Sequence, residues 1–152
     1  MSKFKLSRSS LSNLKGVNSQ LVDVVKYAIT ITKVDFAVVE GLRTLERQKQ
    51  LVARGASQTM NSKHLEGHAV DLMAFIDNRG SWELNLYDDI ADAMKEGAIK
   101  VGVRMRWGAA WVIPDIRFWK GTMEEAMNAY IDTRRRQDKR PFIDAPHFEI
   151  FP

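Results

Sequence analysis

The chain has 152 residues, 45% hydrophobic and 28% charged, which is the size and make-up of one globular domain with a sizeable core. It has no cysteine, so disulfides, thiolate nucleophiles and cysteine-type zinc sites are excluded and any metal must be held by His, Asp or Glu. A formal charge of +4 favours polyanionic partners, and no run approaches the roughly 20 apolar residues of a membrane span, so no membrane insertion is expected.

The N-terminal stretch MSKFKLSRSSLSNLK is basic with no apolar run behind it. It predicts no secretory signal and a start in the cytoplasm; residues 1–15 are expected to form a loosely ordered arm. Over Asn18 to Thr32, apolar residues at Leu21, Val24, Val25, Ala28 and Ile29 have helical spacing. Phe36 to Glu40 reads as a strand ended by Gly41. Thr44 caps a helix running to Arg54, which Gly55 stops. A polar loop, ASQTMNSKH, follows. The segment 69–75 alternates, with Val70, Leu72 and Ala74 on one side and Asp71, Met73 and Phe75 on the other, which predicts a strand. DNRGS (77–81) is a turn. Leu86, Ile90, Ala93, Met94, Gly97, Ala98 and Val101 mark a long helical face. VRMRW (103–107) reads as a strand, and a Trp-rich loop follows. Trp107 is expected in the core, with Trp111 a candidate for lining a groove. Thr122 and Glu125 form a capping-box pattern opening a helix that ends near Arg136. HFEIF (147–151) is a final strand. The whole chain, 1–152, is expected to be a single small α+β domain, helices packed on a mainly antiparallel sheet.

The basic run RRRQDKR (134–140) suits a solvated helix end, where cations complement the helix dipole. No nucleic-acid motif accompanies it, so no nucleic-acid partner is expected.

The chain has three histidines, and two lie in SKHLEGHAVD (62–71). His64 and His68 are four apart, as on the helix of an HExxH zinc peptidase. Glu66, however, stands at the third position rather than the second, Gly67 lies between the histidines, and alternation begins just afterwards. The other reading takes His64 at the end of a loop and Asp71 on the strand, facing a cleft if Val70 and Leu72 face the core. The third ligand then falls to His147, in DAPHFEI, where Asp144 precedes it by three residues. Two nitrogens and one oxygen leave the open position that catalytic zinc requires. A histidine near a strand is also commonly no more than a hydrogen-bonded polar residue, and spacing alone leaves both readings open.

S-x-H-x-x-G-x-A-x-D, at Ser62 to Asp71, and D-x-x-H, at Asp144 to His147, resemble the zinc peptidases that include D-Ala-D-Ala carboxypeptidases, phage L-alanyl-D-glutamate endolysins and the Hedgehog fold. EGLRT (40–44) and RWGAAW (106–111) are similar to further segments of that family, in the same order. The small size and the Asp at 144 resemble the phage endolysin branch most. The resemblance implies one zinc ion on His64, Asp71 and His147, with His68 at a variable, non-ligating position. It implies Asp144 as general base and Arg43 as a group for the oxyanion or a substrate carboxylate. Ser62 either binds substrate or holds the loop before His64. Asp115 is either structural or a ligand of a second cation. The implied substrate is the peptidoglycan stem peptide, the implied enzyme a monomer that waits in the host cytoplasm until a membrane pore opens. The alternatives are a D-Ala-D-Ala carboxypeptidase of the same chemistry and a non-catalytic zinc-bearing wall-binding module. A segment longer than in the shortest endolysins, residues 117–141, has no assigned role.

Overall fold

The structure, a computed structural model, describes residues 3–57 and 59–152. Five helices lie among them: α1 (Arg8–Asn13), α2 (Ser19–Ile31), α3 (Leu45–Ala53), α4 (Leu84–Val101) and α5 (Met123–Arg136). The strands are β1 (Asp35–Glu40), β2 (Ala69–Ile76), β3 (Arg79–Ser81), β4 (Arg104–Trp107) and β5 (His147–Phe151). They form one antiparallel sheet in the order β1-β2-β5-β4, with β3 pairing only to β2. The α+β expectation holds.

One face of the sheet supplies the core. Phe36 and Val38 of β1, Val70, Leu72 and Ala74 of β2, Met105 and Trp107 of β4, and Phe148 and Ile150 of β5 are all buried. They meet the apolar stripes of α2 and α4, read from the sequence at a period of 3.6 and buried as that period requires. Strand alternation sends the intervening residues, Asp71, Arg106, His147 and Glu149, to the opposite face. That alternation places the polar row along one cleft.

Local sequence sets the element ends. Thr44 Oγ1 accepts from Arg47 N and opens α3; Thr122 and Glu125 form the expected capping box of α5. In β1 the register with β2 slips between Val38 and Glu40, a bulge that leaves Val39 outward and sets Glu40 opposite Asp71.

The first residues depart from expectation. Arg8–Asn13 is not a loose arm but a short helix packed along the outer edge of β1. Ser10, fully buried, accepts from Val38 N at 2.9 Å, and Asn13 Nδ2 donates to Val38 O at 2.8 Å. Two polar side chains thus satisfy an edge strand's free backbone groups. A stretch this polar carries no hydrophobic period to announce itself. The predicted turn at 77–81 also differs: it forms a tight turn through Asp77 and Asn78, both at positive φ, that opens into β3.

Candidate active site

Three strands and one turn bring the site together. Asp71 on β2 pairs in register with Glu40 on β1 and with His147 on β5. His64 enters from a 3₁₀ turn, Lys63–Glu66, that runs into β2. Ser62 caps this turn, its Oγ accepting from His64 N at 3.2 Å. Gly67 ends it at φ 74°, in the left-handed region that other residues enter only under strain. The turn therefore stops before His68, and the two histidines never share a helix face. His68 Nδ1 lies instead 3.0 Å from Glu66 Oε2.

His64 Nε2 and His147 Nδ1 both point at Asp71 Oδ1, at 3.1 and 3.2 Å. Among the described residues, His64, Asp71 and His147 are the one group with donor atoms close enough together to share a metal ion. The outer nitrogens test the fit. His64 Nδ1 is 2.9 Å from the carbonyl of Gly41, and His147 Nε2 is 2.7 Å from Glu149 Oε1. Each outer nitrogen faces an acceptor, so with a metal bound each ring would keep its proton there and turn the inward nitrogen's lone pair to the metal. Two imidazoles and a carboxylate, braced in this way, fit zinc.

The electrostatics agree. Burial would raise the Asp71 carboxyl, but hydrogen bonds and charge from His147 and His64 outweigh it and hold it well below the usual carboxylate range. Burial disfavours a charged His147, yet its bonds to Asp71 and Glu149 push it up to about 9. A metal entering this site therefore displaces protons. Asp144 lines the same cleft; burial, then the nearby Asp71 charge, raises its carboxyl, with His147, His64 and Arg43 pulling the other way. A divalent cation on the three ligands is the charge that would compensate these acids.

The turn carrying Asp144 is tied to the end of β4. Asp144 N donates to Gly108 O, Gly108 N donates to His147 O, each at 2.8 Å, and His147 N donates to Asp144 O at 3.0 Å. A Cβ on Gly108 would lie 2.2 Å from the Asp144 carbonyl oxygen, so this close approach needs glycine. Trp107 is wholly buried, as expected, and its Nε1 donates to Ala145 O at 2.7 Å. Trp111 lines the cleft, tilted against His147 with ring centroids 5.7 Å apart.

Arg43 also lines the cleft, but it is buried and four of its five N–H donors bond protein acceptors. Nε and Nη2 bind Glu40 at 2.8 and 2.7 Å, Nη1 binds Gln48 at 2.7 Å and Ser62 at 3.4 Å, and Nη2 reaches Asp71 Oδ2 at 3.6 Å. Gln48, fully buried on α3, passes the connection on: its Nε2 donates to Ser57 Oγ at 2.9 Å and to Thr59 O, two residues that line the cleft. Asp115 is structural, capping a 3₁₀ turn and pairing with Arg117 at 2.7 Å. The reading of the sequence missed Glu40, Gln48 and Glu149. Only Glu149 carried a visible signal, standing two residues beyond His147 on a strand and so on its face.

The cleft has a volume of about 610 Å³, ample for several residues of a peptide. Residues 1–151 match the family of phage L-alanyl-D-glutamate peptidases. The L-alanyl-D-glutamate peptidase of Escherichia phage T5 is 30% identical over 112 residues, which is 71% of this chain and 82% of that protein. Among solved structures, the L-Ala D-Glu endopeptidase ChiX of Serratia marcescens is 33% identical with a TM-score of 0.72, spanning 97% of this chain and 90% of that one. The chain belongs to the phage L-alanyl-D-glutamate peptidase family.

Proposed function

We propose that the chain is a phage endolysin that hydrolyses the L-alanyl–D-glutamate bond of the peptidoglycan stem, using one zinc ion on His64, Asp71 and His147. The observation that carries this reading is the convergence of two imidazole nitrogens on Asp71 while both outer nitrogens face acceptors. Zinc bound there supplies a Lewis acid that polarises a peptide carbonyl and brings a water's pKa toward about 7.

The chain's own groups do the rest. The Asp144 carboxylate accepts a proton from the attacking water and returns it to the leaving amine nitrogen. Its turn is fixed to Gly108 on one side and His147 on the other, which sets the carboxylate beside the ligands with little freedom. Arg43, with four donors committed, acts by holding Asp71 and the Ser62 turn rather than by touching substrate; Ser62 holds the loop before His64. Every residue invoked comes from one copy of the chain, and the enzyme is proposed to work as a monomer. It reaches the wall from the host cytoplasm through a separate membrane pore. No described helix is long and apolar enough to cross a membrane.

Digestion of peptidoglycan by the zinc-loaded protein, with and without a chelator, tests this. Mass spectrometry should show chelator-sensitive release of peptides beginning at D-glutamate, with L-alanine left on the glycan. Free D-alanine would move the cut to the end of the stem. Bound zinc without any soluble product would point to a wall-binding module.

A further inference from the structure

The segment with no part in the chemistry above, residues 117–141, ends on a latch. α5 is moored to α4 through buried Met123, Ala126 and Met127, and through Asp92, whose Oδ1 accepts from Met123 N at 2.9 Å. Two turns further on, Tyr130 is buried, and its hydroxyl bonds both backbone groups of a single residue. Phe142 N donates to the hydroxyl oxygen at 3.0 Å, and the hydroxyl donates to Phe142 O at 3.2 Å. Pro141 to Asp144 belong to neither helix nor strand, so no ladder holds them and such bonds must do so. The three residues from Phe142 to Asp144 are therefore fixed at both ends, Phe142 by Tyr130 and Asp144 by Gly108. Between them Ile143 packs on the core, while Phe142 and Asp144 both line the cleft, which is the alternation of an extended chain.

The Phe142 ring is 42% exposed. It stacks on Trp111 with ring centroids 6.2 Å apart and planes at 24°, and Trp111 in turn leans on His147. Two rings thus step outward from a proposed metal ligand along the cleft. A half-exposed phenyl there, its backbone clamped by a tyrosine, is rigid apolar surface left for a ligand. Its neighbour on the same segment selects the ligand's part. Asp144 hands its proton to the leaving amine, and Phe142 is the next cleft-facing residue, about 7 Å along an extended chain. That points to the amine side of the cut bond. In a γ-linked glutamate the two side-chain methylenes run in the main chain of the stem, an apolar stretch beside that amine.

We propose that Phe142 is a wall of the cleft against which the methylenes of the D-glutamate residue pack, and that Tyr130 is the positioning residue that holds it there. The unassigned helix α5 then serves to present this wall. The inference rests on the peptidase reading above.

Steady-state kinetics on L-Ala-γ-D-Glu-L-Lys test it, together with titrations of the zinc-loaded protein with two probes, N-acetylmuramoyl-L-alanine and γ-D-glutamyl-L-lysine. Phe142→Ala should raise KM about tenfold with kcat unchanged, the mark of binding lost equally from ground and transition states. It should weaken γ-D-glutamyl-L-lysine by about the same factor and leave N-acetylmuramoyl-L-alanine as in the wild type. Tyr130→Phe removes the hydroxyl and keeps the buried ring; it should raise KM about threefold, and add nothing in the Phe142→Ala background. Ala126→Gly loosens the same helix with the hydroxyl in place and should keep the wild-type KM. An unchanged KM in Phe142→Ala, or weakening of N-acetylmuramoyl-L-alanine instead, overturns the wall while leaving the peptidase standing. A rise from Tyr130→Phe that is the same in both backgrounds, or matched by Ala126→Gly, overturns the role of Tyr130. Failure of the wild type to cleave the tripeptide overturns the peptidase reading and the proposal with it.

Discussion

Gly108→Ala probes the joint on which the catalytic turn hangs. The new methyl would sit 2.2 Å from the Asp144 carbonyl oxygen and 3.0 Å from His147 Cβ. Ordinary contact needs the carbonyl to retreat by about 1 Å. No flexible side chain is there to give way: three backbone hydrogen bonds tie Gly108, Asp144 and His147 into one unit. The turn must move as a body, carrying Asp144, the proposed general base, and His147, a proposed metal ligand, away from Asp71. Overpacking of this kind costs about 1–3 kcal/mol of stability. A displacement near 1 Å at the reacting groups costs roughly 10²-fold in rate. Urea denaturation, zinc competition with a chromophoric chelator, and kcat/KM on a stem peptide read the three effects separately. The expected outcome is a folded variant, modestly destabilised, with weakened zinc binding and a rate lower by about two orders of magnitude. Wild-type zinc affinity and rate would refute the claim that this close approach positions the site.

Asp144→Ala should keep the fold and one zinc but lose about 10²–10⁴-fold in kcat, as loss of a general base does; full activity would remove Asp144 from the chemistry. Glu149→Gln should weaken zinc binding about 10–100-fold by withdrawing the carboxylate that orients His147, measured by chelator competition. Asp88, buried on α4 without a donor to Oδ1 among the described residues, gives a pH-dependent prediction. Burial, with Glu124, Asp89 and Asp92 nearby, pushes its carboxyl up to about 6. The folded state therefore binds this proton more tightly than the unfolded one, so the contribution is fully present below about pH 4 and is lost as pH rises through 6. Asp88→Asn should be more stable than wild type by about 1–2 kcal/mol at pH 7, less than the whole shift would give because solvent screens part of it. The difference should vanish near pH 4, and a gap unchanged with pH would contradict this reading.

The architecture was readable where burial imposes a period. Val70, Leu72 and Ala74 against Asp71 and Met73 announced both the strand and which side of it faced the cleft. The buried positions of α2 are those its spacing indicated. A chain poor in histidine and free of cysteine narrowed the candidate metal group, but spacing left two ligand sets open and the resemblance to the zinc peptidases chose between them. What escaped was whatever depends on contacts between distant parts of the chain. Residues Arg8–Asn13 form a helix because Ser10 and Asn13 find the backbone of Val38, a partner that no local pattern reveals. The resemblance gave Arg43 a role toward an oxyanion or a substrate carboxylate; its bonds to Glu40 and Gln48 depend on the β1 bulge and the docking of α3, which no local pattern reveals. Gln48 on its own sequence is an ordinary helical residue, and only its bonds to Ser57 and Thr59 make it a link between Arg43 and the rim of the cleft.

Anomalous diffraction from crystals grown with zinc, recorded on both sides of the zinc absorption edge, tests the central claim most directly. One strong peak bounded by His64 Nε2, Asp71 and His147 Nδ1 is expected, retained in His68→Ala and lost in His64→Ala. A peak on His68 with Glu66, or a site emptied by His68→Ala, would contradict it.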